Sequence, residues 1–159
     1  MNTNFDKESD YKTLGTVMAA QSDLLQAIAH FSKLAVDGPS TSTDAVITTF
    51  GAYAAHKLVR LAQFLAAPHQ LPWPPKYLSQ IDPEKYAETF AEVRVEAFRD
   101  AHGAYAAFYI AWKANLKGMR RSKAKMPKDA SSDRACLKAS REALGIALKA
   151  FEEESRKDS

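Results

Sequence analysis

The sequence predicts an all-α fold, a single-domain bundle of four main helices, mostly antiparallel, with a Pro-rich crossing between the second and third helices. Apolar residues recur at three- and four-residue steps in four long segments, the spacing of one helix face. Three segments rich in helix-breaking residues separate them, and no stretch alternates apolar and polar residues as a half-buried strand does. At 159 residues, the chain is long enough for one domain with its own core.

The first helix is predicted over residues 10–37, after a disordered or frayed start at 1–9. Gly38 and Pro39 follow it, in the order that is usual after the end of a helix. The domain as a whole is expected to span 10–157. The residues expected to face the core from the first helix include Leu14, Val17, Met18, Leu24, Leu25, Ile28 and Phe31.

The second helix is predicted over residues 43–67. Several Ser, Thr and Asp side chains at 40–44 can accept hydrogen bonds from its first free amides. Gly51 lacks a side chain on the apolar face, so a neighbouring helix can approach closely there. The residues expected to face the core are Ile47, Phe50, Ala54, Leu58, Leu61 and Leu65.

The segment 68–82 contains four prolines and cannot be helical throughout. Its apolar residues favour a connector that lies over one end of the bundle, with Trp73 filling a notch. A Pro-rich recognition motif is the alternative interpretation.

The third helix is predicted over 83–118, with Asp82 as the N-cap and a proline in the first turn. Between residues 104 and 112 it is apolar nearly all round, which predicts contacts on more than one side. Either this helix is the central one of the bundle or part of it contacts another chain, and we assign a protein interface to it. The residues assigned to this interface are Tyr109, Ile110 and Trp112, together with Trp73 of the connector.

The fourth helix is predicted over 132–155. The acidic run 152–154 lies near its C-terminus, where carboxylates interact unfavourably with the helix dipole. That end is expected to fray.

Several classes of protein are disfavoured by the sequence. The chain has neither a signal-like start nor an apolar run of the roughly 18 residues that a membrane span needs, so we expect a cytoplasmic protein and no membrane partner. The single cysteine, Cys136, excludes an internal disulfide. No Gly-rich phosphate loop, nucleophile elbow or zinc-protease motif occurs, so no catalytic residue, metal site or cofactor is predicted.

Three histidines stand near the middles of three predicted helices, namely His30, His56 and His102. An enzyme or a metal-binding bundle would need these rings to converge. At about 100° per residue, however, they fall on polar faces or at the flanks of the apolar stripes. We expect them to point outward or sideways.

Basic residues are concentrated near the end of the third helix. No acidic residue occurs between Asp100 and Asp129. Residues 119–159 carry a net charge of +4, whereas the net charge of the whole chain is +3. Such clustering is typical of contact with phosphate or an acidic protein. A solvated connector is the simpler interpretation. The residues assigned to binding nucleic acid or an acidic partner are Arg120, Arg121, Lys123, Lys125 and Lys128.

The leading hypothesis is a small helical-bundle binding protein without catalysis, acting through contacts with another protein or with itself. Nucleic-acid binding by the connector at 120–128 is the second hypothesis. An enzyme or metal-binding bundle that uses the three histidines is the third.

Overall fold

The structure, a computed structural model, is a bundle of four helices and confirms the predicted all-α class. Within the described residues only Asp6 and Asp82 are not helical. Each helix packs against two neighbours in a ring, since α1 and α3 both contact α2 and α4. The structure describes residues 6–37, 42–70, 82–121 and 130–157. The helices are α1 (Lys7–Asp37), α2 (Ser42–Gln70), α3 (Pro83–Arg121) and α4 (Ala130–Lys157).

Aspartate side chains begin two of the helices. Oδ1 of Asp82 accepts a hydrogen bond from the backbone N–H of Glu84 over 3.1 Å, which confirms the predicted N-cap. α1 begins at Lys7, three residues earlier than predicted. The reason is a second cap that the sequence analysis missed, because Oδ1 of Asp6 accepts from the N–H of Glu8 over 3.1 Å.

The end of α2 also differs from the prediction. The helix continues through Pro68 to Gln70, instead of ending at residue 67. A proline this close to a helix end removes one backbone hydrogen bond and leaves the others in place. The last turn of α2 contains His69, whose side chain contacts Asp10 on α1.

The last two helices run further than the sequence predicted. α3 passes Gly118 and ends at Arg121, since a single glycine weakens a helix by only about 1 kcal/mol. α4 continues to Lys157 instead of fraying at its acidic run. One of those carboxylates, Glu152, accepts a hydrogen bond from Nε of Arg99 on α3 over 2.8 Å, which offsets part of the unfavourable dipole interaction.

One apolar core runs through the bundle, and the side chains that fill it recur at three- and four-residue steps on every helix. No described helix combines the length and the hydropathy needed to cross a membrane. The largest fully buried side chains are Phe31, Leu24, Ile47, Leu58, Leu61, Leu65, Phe98, Tyr105, Phe108, Trp112, Leu137 and Leu144.

Three residues predicted to face the core are on the surface. Val17 and Leu24 are buried, but the residues after them, Met18 and Leu25, are 59% and 51% exposed. On α2, Phe50 is 41% exposed, and the buried position is the neighbouring Gly51. One residue corresponds to about 100° around a helix, so both α1 and α2 carry a second apolar stripe that faces outward.

Gly51 sets the distance between α1 and α2, as the sequence analysis predicted. A Cβ atom built at this position would lie 2.6 Å from Cγ1 of Ile28 on α1 and 3.1 Å from Cε2 of Phe108 on α3. Any side chain there would force its neighbours apart, because interiors are packed without spare volume.

Candidate functional site

The predicted interface on α3 is largely inside the bundle. Tyr109 and Trp112 are buried, whereas Ile110 is 62% exposed. The edge of the Trp112 ring meets Phe31 of α1, with 6.4 Å between the ring centroids. The guanidinium of Arg141 on α4 lies 4.4 Å from the centroid of the Tyr109 ring. The two aromatic residues therefore stabilise the core, and of these three residues only Ile110 has an exposed side chain.

The remaining predicted binding residues fall at the edge of the described structure or beyond it. Arg120 and Arg121 belong to the last turn of α3, beyond the predicted end of that helix. The other predicted residues lie outside the described residues, and they are Trp73, Lys123, Lys125 and Lys128.

The three histidines do not converge on one point. Nδ1 of His30 lies 2.5 Å from Oδ2 of Asp133, joining α1 to α4. His56 is on the exposed side of α2, and the partly buried His102 faces Gly145 on α4. Within the described ranges, no group of three or more His, Cys, Asp or Glu side chains is placed to hold a metal ion.

A buried cluster of charged and polar side chains lies at the other end of the bundle from His30. Nε2–H of His69 donates to Oδ2 of Asp10 over 2.6 Å, and Nη2 of Arg94 donates to Oδ1 of the same carboxylate over 2.6 Å. These three side chains come from α2, α1 and α3. α4 covers the cluster, since the ring centroid of Phe151 lies 5.4 Å from the Arg94 guanidinium.

An Asp–His pair can act as a general base, so this cluster must be considered as a catalytic site. All three side chains are at most 7% exposed, and the ring of Tyr11 lies 5.6 Å from that of His69. A dissolved substrate therefore has little access to the imidazole. Burial lowers the pKa of the Arg94 guanidinium, and the carboxylate of Asp10 opposes that shift. The cluster is best explained as a polar contact that joins three helices.

Sequence reasoning missed this cluster, although one signal was present. Asp10 lies seven residues before the buried Val17, and Arg94 lies seven residues before the buried Ala101. Residues seven apart lie on the same side of a helix, so both charged residues are on the side that faces the core. Two opposite charges on core repeats of different helices indicate a buried ion pair. His69 gave no such signal, because the helix was predicted to end before Pro68.

A second polar contact links α1 and α4 in the middle of the bundle. Oγ–H of Ser140 donates to Oδ2 of Asp23 over 2.8 Å. The hydroxyl of Tyr105 lies in the same region, and burial raises its pKa, so this group stays neutral near pH 7. Like the cluster at Asp10, this contact fixes helices relative to each other.

The surface feature that stands out is apolar. Among the described residues, nine large hydrophobic side chains are exposed, and seven of them belong to α1 and α2. The seven are Tyr11, Met18 and Leu25 on α1, and Val46, Phe50, Tyr53 and Val59 on α2.

Three of these side chains follow one another along α2, at residues 46, 50 and 53. We call Val46, Phe50 and Tyr53 the α2 face. They line an open groove of about 420 Å³ together with Thr49. A second open groove, of about 470 Å³, is lined from His56 to Ala67 of α2 and by Phe90 of α3. Most of the length of α2 therefore offers concave, largely apolar surface.

No family model, curated protein or solved structure matches this chain.

Proposed function

We propose that this chain is a non-catalytic binding protein whose α2 face docks a helix of another protein. The observation that carries the proposal is the α2 face itself, where Phe50 and Tyr53 are 41% and 54% exposed. Contiguous exposed apolar patches on a protein surface often mark sites of protein interaction.

The spacing of the α2 face suits a helical partner. Val46, Phe50 and Tyr53 are separated by four and three residues, the steps at which one helix anchors on another. Aromatic side chains supply much of the binding energy in protein interfaces because they bury a large area and lose little conformational freedom. The α2 face supplies two such rings on successive turns.

Charge supports a particular kind of partner. Further along α2, steps of four and three residues from Tyr53 place Lys57, Arg60 and Phe64 on the same side of the helix. The Lys57 ammonium lies 5.2 Å from the centroid of the Tyr53 ring, and the Arg60 guanidinium lies 5.7 Å from that of Phe64. A partner helix with apolar residues near one end and acidic residues near the other matches this arrangement.

Photo-crosslinking in the organism that makes the protein tests the proposal. A photoreactive amino acid at Tyr53 should give a discrete adduct with another protein, and adding Phe50→Glu should abolish that adduct because a charge interrupts the docking surface. The matched control is the same photoreactive residue at Ile146, which is 71% exposed on α4. Equal adducts from both positions, none from Tyr53, or an adduct between two copies of this chain would overturn the proposal.

Nucleic-acid binding through 120–128 stays a separate prediction, and the described residues add no observation that favours it. Replacing both Arg120 and Arg121 with alanine should weaken binding to DNA or RNA and reduce its salt dependence if that segment contacts phosphates. Unchanged binding would exclude this role.

A further inference from the structure

The outer side of α1 carries a second repeat that the core does not use. Six residues, separated by steps of four and three, form this repeat, and all six are exposed. We call them the α1 face, which consists of Tyr11, Gly15, Met18, Ser22, Leu25 and Ala29. Steps of four and three repeat every seven residues, the period at which one helix packs along another.

The α1 face carries no charge. Between Lys12 and Lys33 the only charged residue of α1 is Asp23, and its carboxylate accepts a hydrogen bond from Ser140 on α4. A helix side that faces only water normally carries charged residues. Here the exposed surface around Met18 and Leu25 is instead a shallow groove bordered by uncharged glutamines.

Large and small residues alternate along the α1 face. Tyr11, Met18 and Leu25 are separated by Gly15, Ser22 and Ala29. Small residues let two helix backbones approach closely, and large ones then fill the space beside them.

This alternation is self-complementary in one orientation. In an antiparallel pair of α1 helices with a two-fold axis midway between residues 18 and 22, facing residues have numbers that add to forty. Tyr11 then meets Ala29 of the second copy, Leu25 meets Gly15, and Met18 meets Ser22. Every large side chain faces a small one on both sides of the axis, as an isologous interface requires. A parallel pair would instead place Met18 on Met18 and Gly15 on Gly15.

Gly15 fits this pairing. A glycine inside a helix destabilises it relative to alanine, and it is normally retained where a neighbour needs the space. A Cβ atom built at Gly15 would meet nothing within 4 Å among the described residues, as is also true at Gly103 and Gly118. The described residues therefore give no packing reason for Gly15, whereas Leu25 of a second copy would.

We propose that the α1 face is a homodimer interface, in which the α1 helices of two copies pack antiparallel with large residues against small ones. The interface spans 18 residue steps, or about 27 Å. A single helix pair of that length buries a small area, so the dimer should be weak and depend on concentration. The α1 face shares no residue with the α2 face.

Molar mass measured over a range of concentrations tests the dimer. The full chain should shift from 17.6 kDa toward twice that mass as its concentration rises from roughly 1 µM to roughly 1 mM. Met18→Glu should keep it monomeric throughout, because the substitution places two like charges beside the axis. Gly15→Leu should do the same by filling the space that Leu25 needs. Both positions are exposed, so the helical circular dichroism should not change.

Two control variants distinguish this interface from other surfaces. Ile146→Glu on α4 and Phe50→Glu on α2 should dimerise like the unmodified chain. If Phe50→Glu abolishes the dimer and Met18→Glu does not, the self-association surface is the α2 face, and both proposals are wrong. If the chain is monomeric at every concentration, the dimer proposal alone is wrong.

Crosslinking tests the orientation of the two helices. In a background that carries Cys136→Ser, a mixture of the Gly15→Cys and Leu25→Cys variants should be linked by a short thiol-reactive crosslinker. Gly15→Cys alone should not be linked, because its two copies would lie ten residue steps, or about 15 Å, apart along the pair. Efficient linking of Gly15→Cys to itself would overturn the antiparallel pairing.

Discussion

The α1–α2 helix pair and the α3–α4 helix pair differ in the composition of their outer surfaces. α2 carries three Asp, Glu, Lys or Arg residues among its 29, whereas α3 carries twelve among its 39. Seven of the nine exposed large hydrophobic side chains of the described residues belong to α1 and α2. The outer surface of α3 and α4 is rich in charged residues, as is usual for solvent-exposed helices, whereas the outer surface of α1 and α2 is more apolar. This difference is why both proposed contact surfaces lie on the first pair.

The two pairs also differ in how their own helices pack. α1 and α2 approach closely at Gly51, where even a methyl group would collide with Ile28. α3 and α4 are held partly by side-chain contacts, such as the ion pair of Arg99 with Glu152 and the stacking of Arg141 on Tyr109. The packing of Ile28 against Gly51 joins α1 and α2 without using the exposed apolar residues on their outer sides.

The largest predicted effect is at the buried contact between the two pairs. Arg94→Met removes the guanidinium that pairs with Asp10 and leaves His69 as the one hydrogen-bond donor to this buried carboxylate among the contacts described above. The free energy of unfolding should fall by about 3–5 kcal/mol, measured by urea denaturation. Replacing both partners, as Asp10→Leu with Arg94→Met, should recover only part of the loss, because the buried carboxylate is gone but the buried His69 ring loses its acceptor.

Arg99→Met is the matched control on the same helix. Arg99 also pairs with a carboxylate, but its side chain is more than half exposed. Exposed pairs of this kind contribute at most about 1 kcal/mol. Equal losses from the two variants would show that burial of the Arg94 pair has no special role in joining the helix pairs.

Replacing one glycine of each helix pair with alanine should change the free energy of unfolding in opposite directions, and by less than Arg94→Met does. Gly51→Ala forces Ile28 and Phe108 to move, at a cost that should exceed the gain in helix propensity and lower the unfolding free energy by on the order of 1 kcal/mol. At Gly145 an added Cβ atom would contact Nε2 of His102 at 3.4 Å, an ordinary packing distance. Gly145→Ala should therefore raise the free energy of unfolding by about 0.5–1 kcal/mol. If Gly51→Ala is also stabilising, the first pair is not packed more closely than the second.

The fold was predictable from sequence because helical periodicity and breaker residues are local signals. Which apolar stripe faces inward was not predictable for α1 and α2. Val17 and Met18 belong to two stripes that differ by about 100° of rotation, and both are apolar, so periodicity alone cannot choose between them. The choice depends on the neighbouring helices. α4 presents less ambiguity, because Leu137 and Leu144 lie seven residues apart on one apolar stripe and both are buried.

The buried cluster shows a second limit of sequence reasoning. Asp10 and Arg94 are 84 positions apart, and only the arrangement of the bundle brings their side chains within hydrogen-bonding distance. Their place on the core repeats could have indicated burial but not the pairing. The proposed dimer interface is different, since the large and small residues assigned to it are visible in the sequence once the buried stripe of α1 is known.

The smallest predicted effect concerns pH and belongs to the α3–α4 pair. Burial lowers the pKa of the His102 imidazole in the folded protein, and the positive charge of Arg141 lowers it further. The unfolded chain, in which a histidine titrates near about 6.5, then binds protons more readily than the folded one. The folded protein is therefore most stable above about pH 6.5, and its stability falls as the pH drops through that value toward the lower folded pKa.

His102→Asn should reduce this loss of stability, measured as the difference in thermal midpoint between about pH 8 and about pH 5.5. Arg141→Leu should reduce it partly, because the cationic contribution disappears and the effect of burial remains. An unchanged pH dependence in His102→Asn would mean that protonation at this contact between α3 and α4 does not influence folding.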